Sequence, residues 1–275
     1  MSTEPLALHH AQVDGRTLAY HEAGDGFPVL LVHGNFASKR WFRALLQAPP
    51  AGARLIALDL PNFGDSAALD APITIAAYAD AVRGFAHALE LGTPVLVGHS
   101  LGGTIAMRAV GDDPQAFAAV LLIDASAPEG LITPEAHYPL LEAFRGNGPL
   151  LGQALAPMMP SRTERELDDE MDDLVADALR MHDDAFTGNA RALERLDLAP
   201  ALAAYRGPVR VLRGGQDVLI DPTMAERTHA AFSGSPDTEL LTWDDVGHSP
   251  NVEAPERVAA LIGALIERAR EVDAA

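Results

Sequence analysis

The sequence predicts an α/β fold in which a mostly parallel central sheet carries helices on both faces, with a helical insertion before the last strands. Three observations support this prediction. Several short apolar runs are continuous instead of alternating, which is typical of parallel strands that are buried on both faces. Segments with helical spacing separate these runs, and such alternation is the pattern of three-layer α/β proteins. One long stretch, residues 127–206, contains no such run.

The predicted strands begin with a hairpin. Two short β-type runs flank Asp14–Gly15, a dipeptide that favours a tight turn between antiparallel strands. Because the carboxyl ends of parallel strands meet at one edge of the sheet, the turns after the later strands are candidates for a site. The six apolar runs that follow the hairpin, each ending in a polar or glycine-rich turn, occupy residues 28–35, 53–64, 93–100, 118–126, 207–217 and 238–248.

Helical spacing predicts helices between and after these strands, at residues 74–91, 101–114 and 253–272. In the first of them the apolar residues form one stripe, which consists of Ile75, Tyr78, Ala79, Val82, Phe85 and Leu89. We expect residues 1–126 and 207–275 to form the core domain. Residues 127–206 contain proline and glycine breaks and an acidic helical segment, so we expect them to form a helical cap over the edge of the sheet.

The composition excludes several classes of function. The 275 residues carry a net charge of −19, which argues against nucleic acid or an anionic membrane as a partner. The chain contains no cysteine, which excludes disulfides, thiol catalysis and cysteine metal sites. The acidic segment of the insertion favours a solvated helix face over a metal site. No apolar run reaches about 18 residues, and the first ten residues lack a secretory signal pattern, so we expect a cytoplasmic protein. The oligomeric state is left open.

A serine between two glycines is the best candidate for a nucleophile. Residues 98–102, GHSLG, match G-x-S-x-G, with a predicted strand before Ser100 and a predicted helix after it. The strand-to-helix turn in this motif is sharp and strained, and glycine on both sides removes the crowding. The hydroxyl is thereby exposed at a helix N-terminus, where free backbone N–H groups favour an anion.

A serine nucleophile needs a base that is itself oriented by a third group. His248 is the best of the ten histidines, because it follows the last predicted strand at the sheet edge predicted for Ser100. Asp217 directly follows a predicted strand and completes the chain order Ser, Asp, His. Asp124, at the end of another strand, is the alternative acid, and Asp221 is a third option.

Acyl transfer also requires donors for the oxygen that becomes negative in the transition state. The backbone N–H of Leu101, directly after the serine, is one predicted donor. Asn35, in the loop after the first parallel strand, is predicted to supply the second, with Phe36 as the alternative. One set of apolar residues has two equally good explanations, packing in the core or the cap and selection of the acyl chain. Its members are Phe36, Trp41, Phe144, Met158 and Met159.

Five segments resemble the α/β-hydrolase superfamily. LLVHGN resembles the oxyanion loop of the superfamily, and ALDLPNFGDS resembles a turn that follows one of its strands. VGHSLGGTIA resembles its nucleophile segment. LRGGQD resembles its acid segment, and VGHSPNVEAPERV resembles its histidine segment. The resemblance extends from about Leu18 to Ile266, and Asn62 stands where the superfamily usually has glycine. It implies the α/β-hydrolase fold with a cap at residues 127–206. Ser100 at the elbow argues against haloalkane dehalogenases and epoxide hydrolases, which use aspartate there.

These features predict a serine hydrolase of the carboxylesterase type. It would cleave a small or medium ester through an acyl-enzyme intermediate, with no metal or cofactor. C–C bond hydrolases, lactonases, thioesterases and cofactor-free haloperoxidases of the same fold are alternatives, because the nucleophile segment does not separate them. A ligand receptor without catalytic activity is the alternative outside the enzymes. The natural substrate is left open.

Overall fold

One sheet forms the centre of the protein. In the computed structural model, which describes residues 6–162 and 164–273, this sheet has eight strands. They are β1 His9–Val13, β2 Arg16–Gly24, β3 Phe27–Val32, β4 Ala53–Leu58, β5 Val95–His99, β6 Ala119–Ile123, β7 Val209–Gly214 and β8 Thr238–Trp243. Their order is β1-β2-β4-β3-β5-β6-β7-β8. β2 is antiparallel to β1 and to β4, and the other neighbours are parallel, which confirms the predicted mostly parallel sheet.

The predicted hairpin is present between β1 and β2. Asp14 and Gly15 form its turn, with φ angles of 47° and 81°. Positive φ at both positions is the geometry that two-residue hairpin loops favour, because it matches the twist of the two strands. The turn chemistry of this dipeptide is therefore sufficient to explain the hairpin.

Each of the six predicted apolar runs overlaps a strand, but the strand ends before the run does. β4 ends at Leu58 although its run continues to residue 64, and β8 ends at Trp243 although its run continues to residue 248. Directly after some strands the backbone still bonds to a neighbouring strand, as the N–H of Asp59 does to the carbonyl oxygen of Ala19. Further along, the loop residues bond to other groups; the N–H of Leu60, for example, donates to the ring of His33. These loops lie at the carboxyl edge of the sheet and carry the polar residues considered below.

Helices cover both faces of the sheet. Within the described residues, none is long and apolar enough to cross a membrane. Short 3-10 helices lie at Lys39–Phe42, Glu135–His137 and Ala156–Met158. The α-helices are α1 Arg43–Gln47, α2 Ile75–Ala88, α3 Leu101–Asp112, α4 Tyr138–Ala143, α5 Gly148–Leu155, α6 Glu164–Ala178, α7 Ala185–Ala192, α8 Ala199–Leu202, α9 Pro222–Ala231, α10 Pro250–Glu253 and α11 Pro255–Asp273.

The three predicted helices correspond to α2, α3 and α11. α2 begins where predicted, because the Thr74 side chain accepts a hydrogen bond from the N–H of Ala77. The predicted helix at residues 253–272 starts later. Ala254 leaves the helical conformation before Pro255, and proline disfavours a helical residue in front of it, so α10 and α11 are separate.

Two apolar clusters form the core, one on each face of the sheet. Leu30 and Val32 of β3 belong to the cluster that α2 and α3 cover. Val29 and Leu31 belong to the cluster that α1 and α11 cover. Successive strand residues point to opposite faces, so strands buried on both faces are continuously apolar, as the sequence pattern indicates.

The chain between β6 and β7 contains α4 to α8. Within its described residues the only β-type pairing is an isolated bridge between Ala127 and Gly130. The last helix, α8, lies against α3, where a Cβ on Gly111 would be 3.1 Å from the side chain of Ala201. Earlier parts of the segment contact loops at the carboxyl edge of the sheet. The division into a core and a cap at residues 127–206 stays a prediction.

Candidate active site

Ser100 lies in a strand-to-helix turn at the carboxyl edge of the sheet. β5 ends directly before it and α3 begins directly after it, and its φ and ψ are 52° and −119°. A Cβ on Gly98 would lie 2.4 Å from the carbonyl oxygen of Gly102. A Cβ on Gly102 would lie 2.3 Å from the carbonyl oxygen of Val32. Both positions therefore require glycine, which allows the strained turn at Ser100 to form.

Three residues that are distant in the sequence lie within hydrogen-bond distance at this edge. The Nε2 atom of His248 is 2.9 Å from Oγ of Ser100, and its Nδ1 atom is 2.7 Å from Oδ2 of Asp217. Asp217 is in the loop after β7 and His248 in the loop after β8. A neutral imidazole that donates from Nδ1 to the carboxylate leaves Nε2 to accept the serine O–H. This arrangement can move a proton from the hydroxyl to the ring.

The carboxylate of Asp217 is held in place and kept ionised. Burial alone would raise its pKa, but the hydrogen bond and the electrostatic interaction with His248 bring the pKa below its ordinary value. Its Oδ1 atom accepts from the N–H groups of Leu219 and Ile220, at 2.7 and 3.2 Å. The orientation of the acid is therefore set by its own loop, and the remaining oxygen is directed at the imidazole.

The two other acids that the sequence offers have different contacts. Asp221 accepts from a backbone N–H in the first turn of α9 and caps that helix. Asp124 is buried after β6, and its Oδ1 atom accepts from the N–H of Gly214 at 2.9 Å. One atom each of Asp124, Asp217 and His248 lies within 4.8 Å of the others, a spacing that a metal ion could use. Since Asp217 and His248 are hydrogen-bonded to each other, the group fits proton transfer better than metal binding.

His99 supports the loop that carries His248. Its Nε2 atom is 2.8 Å from the carbonyl oxygen of His248, and its ring stacks on Trp41 with the centroids 5.8 Å apart. Burial and the neighbouring His248 lower the pKa of His99 to about 3. The ring is therefore neutral and donates from Nε2 to the carbonyl.

Glu253 is a residue of the site that the sequence analysis does not identify. Its Oε1 atom accepts from the N–H groups of Gly247 and Ser249, at 2.8 and 3.2 Å, which are the residues on either side of His248. Its Oε2 atom accepts from the N–H and the hydroxyl of Ser161 in the insertion, at 3.0 and 2.7 Å. The only signal in the sequence is a glutamate five residues after the histidine.

The loop after β3 lies directly against the elbow. A Cβ on Gly34 would be 3.0 Å from the Cβ of Ser100, so glycine permits this close approach. Asn35 and Phe36 follow in a turn, and Phe36 has a φ of 53°. Within the described residues, the backbone N–H groups of Asn35 and Leu101 donate to no acceptor.

His33 holds this loop as a neutral ring. Its Nε2 atom accepts from the N–H of Leu60 at 3.1 Å, so the proton is on Nδ1, which donates to the carbonyl oxygen of Gly34 at 2.8 Å. Burial lowers the pKa of His33 to about 4. The ring therefore joins the loops after β3 and β4.

The side chain of Asn35 ends a directional chain of hydrogen bonds. The backbone N–H of Leu69 donates to the side-chain oxygen of Asn62, and the side-chain amide of Asn62 donates to the hydroxyl of Tyr78. This hydroxyl donates to the side-chain oxygen of Asn189, whose amide donates to the side-chain oxygen of Asn35. The four distances are 2.8 to 2.9 Å. The backbone N–H at the start determines the direction of every later bond. Asn62 has a φ of 70°, which asparagine tolerates better than most residues, and this explains how it replaces glycine there.

The predicted apolar set is divided between two places. Phe36 packs edge-to-face on Phe144, with centroids 5.5 Å apart, and also contacts Phe186. These rings join the loop after β3 to the insertion. Trp41 lies against His99 instead. It lines a cavity of about 330 Å³ together with Arg40 of the same 3-10 helix and with residues of α1, α6 and α10.

The two methionines of the set lie beside the loop of His248. The carbonyl oxygen of Met158 accepts from the backbone N–H of His248 at 3.0 Å. Met159 is completely buried in the core cluster. The insertion therefore contacts the imidazole loop through its backbone.

Comparisons with known proteins agree with this architecture. Residues 29–261 match the Alpha/beta hydrolase family. A pimeloyl-[acyl-carrier protein] methyl ester esterase of Neisseria meningitidis serogroup A is 30% identical over 249 residues, which cover 87% of this chain and 76% of that protein. The dihydrolipoyllysine-residue acetyltransferase component of the acetoin cleaving system of Pseudomonas putida is 29% identical over 265 residues, which cover 92% of this chain and 67% of that protein.

Solved structures share the fold at lower sequence identity. A thermophilic esterase from Thermogutta terrifontis superposes with a TM-score of 0.76 and 24% identity, covering 96% of this chain and 99% of that chain. A bromoperoxidase from Bacillus anthracis superposes with a TM-score of 0.80 and 19% identity, covering 95% and 100%. With the family match over most of its length and the eight-stranded sheet, this chain belongs to the alpha/beta hydrolase family.

Proposed function

We propose that this protein is a serine hydrolase that cleaves a small or medium carboxylic ester through an acyl-enzyme intermediate. Ser100 is the nucleophile, His248 the base and Asp217 the acid that orients the base. The observation that carries the proposal is the pair of hydrogen bonds at His248, 2.9 Å to Ser100 and 2.7 Å to Asp217. The family match and the esterase among the relatives support it.

The reaction begins when Oγ of Ser100 attacks the ester carbonyl carbon and His248 takes the hydroxyl proton at Nε2. Asp217 accepts the hydrogen bond from Nδ1 and stabilises the imidazolium. The imidazolium then gives its proton to the departing alcohol, which leaves the acyl group on Ser100. His248 next takes a proton from water as the water oxygen attacks the acyl carbon. The bond between the acyl carbon and Oγ of Ser100 then breaks, the imidazolium returns the proton to Oγ, and the carboxylic acid is released.

The backbone N–H groups of Leu101 and Asn35 stabilise the oxygen that becomes negative during both attacks. Two observations support this role: both groups lack an acceptor among the described residues, and Gly34 brings the loop of Asn35 against Ser100. Leu101 also begins α3, where the helix dipole favours an anion. Loss of one such donor costs about 3–4 kcal/mol of transition-state stabilisation.

Residues 127–206 act as the cap over this site. Phe36 and Phe144 are the members of the apolar set that join the loop after β3 to the insertion, so they contact the acyl chain. Trp41, Met158 and Met159 contribute to the shape of the site through their contacts with His99, with His248 and with the core.

The first test replaces the nucleophile. Ser100→Ala abolishes hydrolysis of an aryl acetate, while the circular dichroism spectrum and the thermal unfolding midpoint stay close to those of the wild type. Ser235→Ala is the matched control, because its buried hydroxyl bonds to the carbonyl oxygen of Gly207, at the opposite edge of the sheet. Turnover that survives in Ser100→Ala refutes the assignment.

A second measurement narrows the substrate class. A fluorophosphonate probe labels Ser100 of the wild type and not the Ser100→Ala variant; a protein that resists the probe is a ligand receptor instead. A panel of esters of increasing acyl length, lactones, thioesters and diketones then ranks the alternatives by kcat/KM. Preference for a class other than esters overturns the ester assignment and keeps the serine mechanism.

A further inference from the structure

The mechanism above leaves one buried carboxyl group beside the orienting acid without a role. Asp124 is 1% exposed, and its backbone has a φ of 45° directly after β6. Its Oδ1 atom accepts from the N–H of Gly214. Its Oδ2 atom is also buried and receives no hydrogen bond from any described residue. A buried carboxylate oxygen without a donor is rare, because its desolvation is not compensated.

Another acid lies beside the carboxyl group of Asp124. One atom each of Asp124, Asp217 and His248 lies within 4.8 Å of the others. Asp217 already accepts three hydrogen bonds, two at Oδ1 from its own loop and one at Oδ2 from His248. Two ionised carboxylates cannot hydrogen-bond to each other and repel at this distance, whereas a proton between them turns the contact into a hydrogen bond.

The buried charges around the pair balance only if one acid is neutral. Arg213 is the cation beside them, and its guanidinium donates to the backbone carbonyl oxygens of Ile220 and Asp217. Within the described residues it forms no ion pair with a carboxylate. Its single positive charge offsets the ionised carboxylate of Asp217. A second ionised carboxylate would leave a negative charge uncompensated in the interior.

We infer that Asp124 is a protonated carboxylic acid that donates a hydrogen bond from Oδ2 to the carboxylate of Asp217, and that it is a positioning residue for the orienting acid. This inference rests on the function proposed above. Burial and the neighbouring Asp217 raise the pKa of Asp124 well above its ordinary value, against the smaller effects of Gly214 and Arg213. A neutral carboxyl group that donates a hydrogen bond at neutral pH is an established device of buried sites.

The position of the proton has a consequence for the base. A donor behind Asp217 withdraws negative charge from that carboxylate, so it lowers the pKa of His248 relative to a site without the donor. An ionised Asp124 would do the opposite, because a second negative charge favours the imidazolium. The two protonation states of Asp124 therefore predict shifts of opposite sign in the pKa of His248 when the residue is replaced by alanine.

Asp124→Asn separates the two states. The amide keeps an oxygen for the N–H of Gly214 and places an N–H where the acid would carry its proton. We expect the pKa of His248 in this variant to stay within about 0.3 unit of the wild type. If Asp124 is ionised, the substitution removes a negative charge and lowers the pKa of His248 by about one unit or more, and that result overturns the inference.

Asp124→Ala removes the donor without supplying a substitute. We expect the pKa of His248 to rise and kcat to fall about tenfold with little change in KM, and Asp124→Asn to restore most of the loss. If the pKa of His248 and kcat are the same in Asp124→Ala as in the wild type, the positioning role is overturned.

The pKa of His248 is read from the NMR titration of its ring carbons, assigned by the loss of its signal in His248→Gln. This titration needs no turnover and is repeated in the Ser100→Ala background. Its outcome for Asp124 therefore stays separate from the outcome of the ester assay. An infrared spectrum gives a second readout: the carbonyl stretch of a protonated carboxyl group is present in the wild type at neutral pH and disappears in Asp124→Asn. Absence of this band from the wild type contradicts the inference.

Discussion

Lys39 is the only lysine of the chain, and it is almost completely buried. Its Nζ atom lies 2.6 Å from Asp59 and 2.7 Å from Asp65, and its backbone N–H also donates to Asp59. Asp59 is itself completely buried. One ammonium group therefore neutralises two carboxylates and joins the segment after β3 to the turn after β4. Its role is structural, which the composition alone does not reveal.

Replacement of this lysine tests the energetic cost of an unpaired buried charge. Lys39→Met keeps the length of the side chain and removes its charge, so Asp59 loses its cation in the interior. We expect the free energy of unfolding, from urea titration, to fall by about 3–5 kcal/mol. Adding Asp59→Asn to this variant restores part of the loss, because it removes the unpaired charge. A loss below about 1 kcal/mol, as for an exposed ion pair, contradicts the argument.

At the scale of elements, the loop after β8 depends on its neighbours for its shape. The backbone of His248 donates to Met158 and accepts from His99, while Glu253 accepts from the residue on each side. The same glutamate bonds to Ser161 of the insertion. The position of the imidazole is therefore coupled to the segment between β6 and β7 through one carboxylate.

Glu253→Gln tests this coupling, because an amide has one oxygen and cannot accept on both sides. Hydrogen bonds to a charged acceptor are worth about 1.5–3 kcal/mol, so we expect kcat to fall about tenfold or more with the fold intact. Hydrogen exchange at residues 247–249 becomes faster in the same variant. Glu256→Gln, at an exposed position of α11, is the control and leaves both measurements unchanged. Unaltered kcat and exchange in Glu253→Gln exclude the coupling.

At the scale of the whole molecule, the net charge of −19 is distributed so that many carboxylates have arginine partners. Asp112 and Asp237 each bond to two arginines, and both have a lowered pKa although burial alone would raise it. Asp65 bonds to Lys39 and to Arg180, which lies in the turn directly after the acidic helix α6. Burial opposes ionisation of Asp65 as well, but these two cations bring its pKa to about 2.

The sign of the pH dependence follows from that direction. The folded pKa of Asp65 lies below its ordinary value of 3.8, so its contribution to stability is complete above about pH 4 and is lost as the pH falls towards 2. We expect the stability difference between the wild type and Asp65→Asn to be constant from pH 5 to 7, within about 0.3 kcal/mol, and to disappear near pH 2. Thermal unfolding across this range measures it.

Asp70→Asn is the control for this titration, because it removes one charge at a side chain that is 88% exposed. Each variant removes one carboxylate, so acidification changes the overall charge repulsion equally in both. A difference between their stability profiles therefore comes from the ion pairs of Asp65. If the difference in stability between the wild type and Asp65→Asn stays constant down to pH 2, the lowered pKa of Asp65 is contradicted.

The sequence alone determined the features that depend on neighbours along the chain. The Asp14–Gly15 hairpin, the continuous apolar strands and the glycines around Ser100 follow from backbone sterics and side-chain period, which act over a few residues. The positions of Ser100, Asp217 and His248 at strand ends could be read for the same reason, since parallel strands bring their carboxyl ends to one edge.

Tertiary structure decided which of these residues touch. The sequence offers three candidate acids after two strands, Asp124, Asp217 and Asp221. Only the packing of β6, β7 and β8 places Asp217 at the imidazole and Asp124 behind it, while Asp221 caps a helix N-terminus. The contacts of Glu253 and Lys39 likewise join segments that the local pattern does not relate. Hydrogen bonds form or fail over less than 1 Å, and such distances are set by packing across the whole core instead of by sequence spacing.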